Sequence, residues 1–169
     1  MKRLLLPVAS LSLVAAGFGA GVAVSATAAD DTTAKGAAAE PVTVSRVPLA
    51  EAPGPSGAPK RTLGLARVVV MPGAELASHY HPGTQLGYVD EGVLTYTVET
   101  GHAQLMKGPG DKPTLVKRIG PGETVHVKPG QWLVEEQGAV HHARNRGDVP
   151  VLIYISSLGR TGAPAAIPD

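Results

Sequence analysis

Short β-prone runs, each closed by a glycine or a Pro-Gly pair, constrain this chain more than any other feature. Between Leu63 and Ser157 the breaks fall at Pro72-Gly73, Pro82-Gly83, Glu91-Gly92, Gly120-Pro121-Gly122 and Pro129-Gly130. The runs between them show almost no long helical pattern. The runs themselves are rich in Val, Leu, Ile and Thr, residues that suit a pleated, half-buried surface. They read as strands at Leu63–Met71, Leu76–His81, Gln85–Asp90, Val93–Val98, Thr114–Ile119, Thr124–Lys128, Gln131–Glu135, Ala139–Asn145 and Val151–Ser157. Gly101–Pro113 reads as a turn-rich insertion around Gln104–Met106. Strands at this regular spacing, broken by turn residues, predict an all-β sandwich or barrel.

The segments before residue 60 read differently. Lys2 and Arg3 precede a stretch from Leu4 to Val24 without charge, and Ala26-Thr27-Ala28 offers a small-x-small cleavage site. This pattern predicts a signal peptide over residues 1–28. The alternative is an uncleaved anchor, since roughly 20 apolar residues can span a bilayer. The weak hydrophobicity of this Ala- and Gly-rich segment favours cleavage, and hence a secreted or extracytoplasmic protein with no stable membrane association. Residues 29–59 read as a flexible N-terminal segment with one edge strand near Val42-Thr43-Val44, and Pro48–Pro59 as a surface loop. The folded domain is expected over 60–158, and residues 159–169 as a Pro/Gly/Ala tail.

Composition removes several function classes. The chain has no cysteine, which excludes disulfide staples, thiolate metal sites and cysteine nucleophiles. Its 15 Lys and Arg against 14 Asp and Glu give a formal charge of +1, and loss of Lys2 and Arg3 with the leader makes it −1. That balance offers nothing to a polyanion, so no nucleic-acid partner is expected.

The chemistry concentrates in Gly73–Gly92. His79 and His81 stand two apart, so on an extended strand they project from one face. Pro82-Gly83 turns the chain, which brings Gln85 back toward the two imidazoles. His141 is the best candidate for a further ligand. Its neighbour His142 faces the other way by strand alternation, and His126 is expected to point outward between Val125 and Val127. His102 follows a turn glycine. Tyr80, Tyr88, Tyr96 and Trp132 are available to line a cavity, with Tyr88 expected opposite to Gln85. Glu136 is placed on an exposed loop.

Two spaced groups of residues resemble the motifs of the cupin superfamily. Gly73, His79, His81 and Gly92 match the spacing of the first, with Gln85 where the family carries Glu. Gly130, Gly138, His141 and Asn145 match the second, with Glu136 where the family carries Pro. The resemblance covers Leu63 to Ser157, and residues 93–129 between the motifs suit one extra hairpin. It implies a small single-domain cupin of the type-2 kind: a jelly-roll, or double-stranded β-helix, barrel. The implied ligands of one divalent transition metal are His79, His81, Gln85 and His141. Imidazole-rich sites suit Fe, Mn, Zn, Ni or Cu. An amide at Gln85 neither cancels metal charge nor serves as a base, so mechanisms that need the family's Glu are not carried over. The resemblance implies a small-molecule ligand or substrate in the barrel, with dioxygenase, isomerase or lyase chemistry. The alternatives are a non-catalytic ligand- or metal-binding module and a purely structural barrel. A homodimer is the expected assembly, since exposed sheet edges gain from being covered.

Overall fold

The computed structural model describes residues 43–169. Twelve strands follow in order: β1 (Val44–Pro53), β2 (Arg61–Val70), β3 (Glu75–Tyr80), β4 (Thr84–Glu91), β5 (Leu94–Thr100), β6 (Ala103–Lys107), β7 (Thr114–Ile119), β8 (Thr124–Val127), β9 (Gln131–Glu135), β10 (Val140–Asn145), β11 (Val151–Arg160) and β12 (Ile167–Pro168). No helix long and apolar enough to cross a membrane occurs among the described residues. Every strand pairing is antiparallel, and the pairings make two sheets. One runs β1-β2-β11-β4-β9-β6-β7 and the other β12-β3-β10-β5-β8. This is the all-β, two-sheet arrangement that the turn spacing predicts, and it is consistent with the jelly roll that the resemblance implies.

The core lies between the sheets. Val68, Val70, Val89, Val98, Val127, Ile119 and Val151 are at most 2% exposed. Alternation along each strand puts these residues inward and their neighbours outward. Thus Gln85, Gly87 and Val89 of β4 face the core, while Leu86 and Tyr88 stand on the outer face. Burying these branched side chains, at about 25 cal/mol per Å² of apolar surface, supplies the drive to close the barrel without covalent links.

Two predicted segments are more ordered than their composition suggests. An edge strand begins at Val44, the last residue of the expected one, and extends through Pro53 in register with β2, which shortens the loop to residues 54–60. Proline is tolerated there because β1 is an edge strand whose outward N–H groups need no partner. The tail also carries structure. β11 runs to Arg160, and Ile167–Pro168 adds β12 beside Tyr80 and His79 of β3. The predicted leader at residues 1–28 lies outside the described residues.

The glycines and asparagine of the two motifs close the fold around the site. A Cβ on Gly83 would overlap the Leu158 carbonyl, so the turn after His81 can sit only this close to β11 without a side chain. Gly92 adopts φ 73°, and a Cβ there would come within 2.6 Å of the Pro150 carbonyl oxygen. Asn145 is fully buried. Its Nδ2 donates to the Val70 and Val149 carbonyls at 2.9 and 2.8 Å, and its Oδ1 accepts from the Gly147 N–H at 2.9 Å. Its backbone exchanges further bonds with Gly73 and Ala74 at 3.0 Å each. The two motifs are therefore bolted together at the end of the barrel away from the histidines. The Gly138 N–H also donates to the His81 carbonyl at 3.1 Å, which joins them again beside the site.

Candidate metal centre

The barrel brings His79, His81 and His141 to one point. His79 of β3 and His141 of β10 are direct cross-strand partners, and His81 follows β3 on the same face. Their ring centroids lie 4.9, 4.5 and 5.1 Å apart. One ligand atom from each lies within 4.8 Å of the others, an arrangement able to hold a metal ion. His81 and His141 are buried and His79 is half-buried.

Hydrogen bonding fixes which ring nitrogen faces the centre. His79 Nδ1 lies 2.7 Å from the Ala77 carbonyl oxygen, His81 Nδ1 2.6 Å from that of Ala165, and His141 Nδ1 3.0 Å from that of Ala139. A carbonyl oxygen only accepts, so each Nδ1 carries the proton and donates it. Each neutral ring then has its lone pair on Nε2. Outer contacts of this kind orient imidazoles for metal ligation. The acceptor for His81 comes from the tail, which makes the last residues of the chain part of the site's wall.

Gln85 arrives from β4 as the sequence predicts, buried at 4% exposure. Its Nε2 lies 3.0 Å from His81 Nε2 and donates to Glu135 Oε2 at 3.0 Å. The second amide hydrogen meets the His81 lone pair. Its Oε1 is buried without a hydrogen-bond partner among the described residues. Glu135 was not picked out from the sequence as a site residue. It stands opposite Gln85 across the β4–β9 ladder, is 6% exposed, and places its two oxygens 3.4 Å from His81 Nε2 and His141 Nε2. Burial opposes its ionisation. The adjacent His81 and His141 and the amide hydrogen donated by Gln85 outweigh that and bring its pKa down to about 2. Burial also lowers the pKa of His79, helped by the two adjacent imidazoles and opposed by its bond to the Ala77 carbonyl. Burial and the charge of Glu135 push the Tyr96 phenol above its ordinary range.

The remaining sequence-predicted residues separate cleanly. Of the four aromatic candidates, only Tyr96 lines the cavity above the histidines, its ring 5.1 Å from that of His141. Tyr88 and Trp132 are paired across β4 and β9 on the outer face. His126 points outward beside Thr95, His142 pairs with Glu99 at 2.6 Å, and His102 and Glu136 are exposed. The cavity has a volume of about 380 Å³. Val68, Leu133, Ile153 and Ile155 make its walls, the three imidazoles its polar end, and Arg46 of β1 reaches its lining.

Comparison with known proteins agrees with this architecture. Residues 27–160 match the family described as Cupin. The chain belongs to the cupin family. No curated protein matches the sequence. Among solved structures, those of DMSP lyases are similar at a TM-score of 0.50 and 16% identity, covering 75% of this chain and 52% of that one. A cupin superfamily protein from Desulfitobacterium hafniense is similar at 0.48 and 12%, covering 73% and 84%. A conserved protein of unknown function from Streptococcus pyogenes gives 0.48 and 15%, covering 73% and 80%. At these identities the likeness is one of fold.

Proposed function

We propose that this chain is an exported cupin that binds one divalent transition metal through His79, His81 and His141. On this reading it acts on, or captures, a small molecule in the barrel. One observation carries the proposal: three imidazoles whose Nδ1 protons are taken by backbone carbonyls turn their Nε2 lone pairs toward one centre. The donor set fits Fe, Mn, Zn, Ni or Cu. When bound, such an ion supplies a Lewis-acid or redox centre. The protein's own residues do the rest. The apolar walls exclude water and hold a small, largely apolar body. Tyr96, kept protonated by burial and by Glu135, offers a hydroxyl donor at depth. Gln85 ties His81 to Glu135 and so fixes both side chains.

The test is metal content by mass spectrometry on the purified mature protein beside a His79→Ala/His81→Ala variant. Near one equivalent of metal, lost in the variant, supports the proposal; no metal after reconstitution overturns it. Turnover as a dioxygenase, isomerase or lyase is then sought with the loaded protein, and a Gln85→Ala variant that loses turnover rules out the capture-only alternative. Export is checked by the mass of the mature N-terminus, expected near residue 29. A homodimer remains within the proposal. Leu63, Leu65, Leu86 and Tyr88 stand 38–44% exposed on the outer face of the seven-stranded sheet, a surface a second copy could cover. Sedimentation showing only monomer at micromolar concentration would remove it.

A further inference from the structure

We propose that Glu135 is the carboxylate ligand of this centre, displaced by one strand from the position where Gln85 stands. The inference rests on the metal-binding reading above and deepens it.

Gln85 and Glu135 are direct partners in the β4–β9 ladder and share the inner face. Side chains so placed start roughly 5 Å apart at Cβ, a distance one glutamate side chain spans. A carboxylate moved from residue 85 to residue 135 therefore addresses the same space from the neighbouring strand.

Carboxylates are almost never fully buried unless paired, and the ion-pair partners of Glu135 among the described residues are His81 and His141. Yet the Nδ1 atoms of both rings already donate to carbonyls. In the neutral His141 ring the lone pair of Nε2 faces Glu135 Oε1 at 3.4 Å with no donor between them, while His81 Nε2, 3.4 Å from Glu135 Oε2, accepts the Gln85 amide hydrogen. Acceptor against acceptor is repulsive unless a cation lies between them. The spacing suits one ion, because two ligand atoms each about 2.1 Å from a shared metal are themselves roughly 3–3.4 Å apart. The unpartnered Gln85 Oε1 adds one more acceptor to the same cluster.

The same contact gives a reason for an amide at residue 85. Its Nε2 donates to Glu135 Oε2 at 3.0 Å. A glutamate at 85 would put two carboxylates at that distance, and like charges so close cannot both stay ionised. Glu135 and Gln85 thus form a matched pair: one carries the charge, and the other is the neutral donor that charge requires. Three imidazoles alone would leave the full +2 on a bound ion. With Glu135 the centre has net charge +1.

The experiment uses cobalt(II) as the probe, with affinity measured by competition and the ligand field read from the visible d–d bands. The variants are Glu135→Gln, the exchange Gln85→Glu/Glu135→Gln, and His79→Ala/His81→Ala; metal-free melting curves confirm that each folds. Glu135→Gln, which is isosteric, is expected to weaken cobalt binding at least tenfold and to change the d–d spectrum. The exchange variant, which keeps one carboxylate and one amide, is expected to regain affinity to within threefold of the parent. Three results would overturn the inference. Glu135→Gln within twofold of the parent, while the histidine variant loses cobalt, removes Glu135 and leaves the three-histidine centre standing. Weakening without rescue in a folded exchange variant refutes the equivalence of the two positions. Failure of the parent to bind cobalt or any other divalent ion ends both this inference and the function on which it rests.

Discussion

Deleting residues 163–169 separates what the tail does for the site from what the barrel does for itself. The deletion removes β12, the Ala165 carbonyl that accepts from His81 Nδ1 at 2.6 Å, and the Asp169 N–H bond to the Ser78 carbonyl at 3.3 Å. It leaves both sheets otherwise intact, because β12 pairs only with β3. At about 1 kcal/mol net per intramolecular hydrogen bond, the barrel should lose roughly 1–3 kcal/mol. The site should lose more than its share. Without Ala165 the His81 proton is free to move to Nε2, which closes that lone pair to a ligand. Removing an outer contact of a ligating histidine typically costs about 10–100-fold in metal affinity. At saturating metal this shrinks the ion's contribution to stability by about 1.4–2.8 kcal/mol. Two measurements check the chain of reasoning. Metal titration should show the weaker Kd, and ¹⁵N NMR of the metal-free protein should show His81 protonated on Nδ1 in the parent and as a tautomer mixture in the deletion. A deletion variant with unchanged tautomer and affinity within twofold would refute the claim that the tail sets the orientation of His81.

Two further perturbations address the frame and the charge of the site. Asn145→Ala removes two donated bonds and one accepted bond in a fully buried setting; a loss of ~3 kcal/mol, or roughly 10 °C in Tm, is expected by thermal melting, and a loss under 1 kcal/mol would contradict the clamp described above. The second is acid sensitivity of the metal-free protein. Glu135 has a folded pKa of about 2 against an ordinary value of 4.5, so its contribution is complete above the ordinary value and disappears as pH falls toward 2. The lowered pKa of His79 acts in the same direction, since the fold favours its neutral ring and loses ground on acidification below its ordinary 6.5. Melting curves should therefore show stability falling from neutral pH to pH 2, with the steepest part of the parent's loss absent from Glu135→Gln. A parallel decline in both proteins would show that the Glu135 carboxylate is not the titrating group.

Most of the barrel was legible because its information is local. Each Pro-Gly or Gly turn marks a strand end, and His-Tyr-His on an extended strand puts two imidazoles on one face without reference to anything distant. His141 was legible through a second motif of the same kind. Glu135 was not, since its role depends on the register of β4 against β9, strands some 50 residues apart in sequence, and register is a tertiary fact. One local signal existed: Glu135 shares the inward phase of Leu133, and a charge in the buried phase of a strand needs a reason. The family motif, by contrast, places its carboxylate at the position of Gln85. The tail failed for a different reason. Its Pro, Gly and Ala residues carry no strand propensity, and β12 exists only because the exposed edge of β3 offers it hydrogen bonds. The same holds for β1 beyond Val47, where prolines argue for a loop until an edge partner is known.

Four of the five acceptor-bearing residues divide between the two sheets in a way that bears on mechanics. His79 and His141 belong to the five-stranded sheet, while Gln85 and Glu135 belong to the seven-stranded one. No cysteine is available to tie the two sheets covalently. An ion shared by His79, His141 and Glu135 would therefore be a cross-link between layers, closing a loop from β3 to β9 much as a disulfide closes one in a secreted domain. Sheet separation at this end of the barrel would then become a metal-dependent quantity. Hydrogen exchange in β3 and β9 would slow together on loading, and a ligand large enough to wedge the layers apart would loosen the ion's grip.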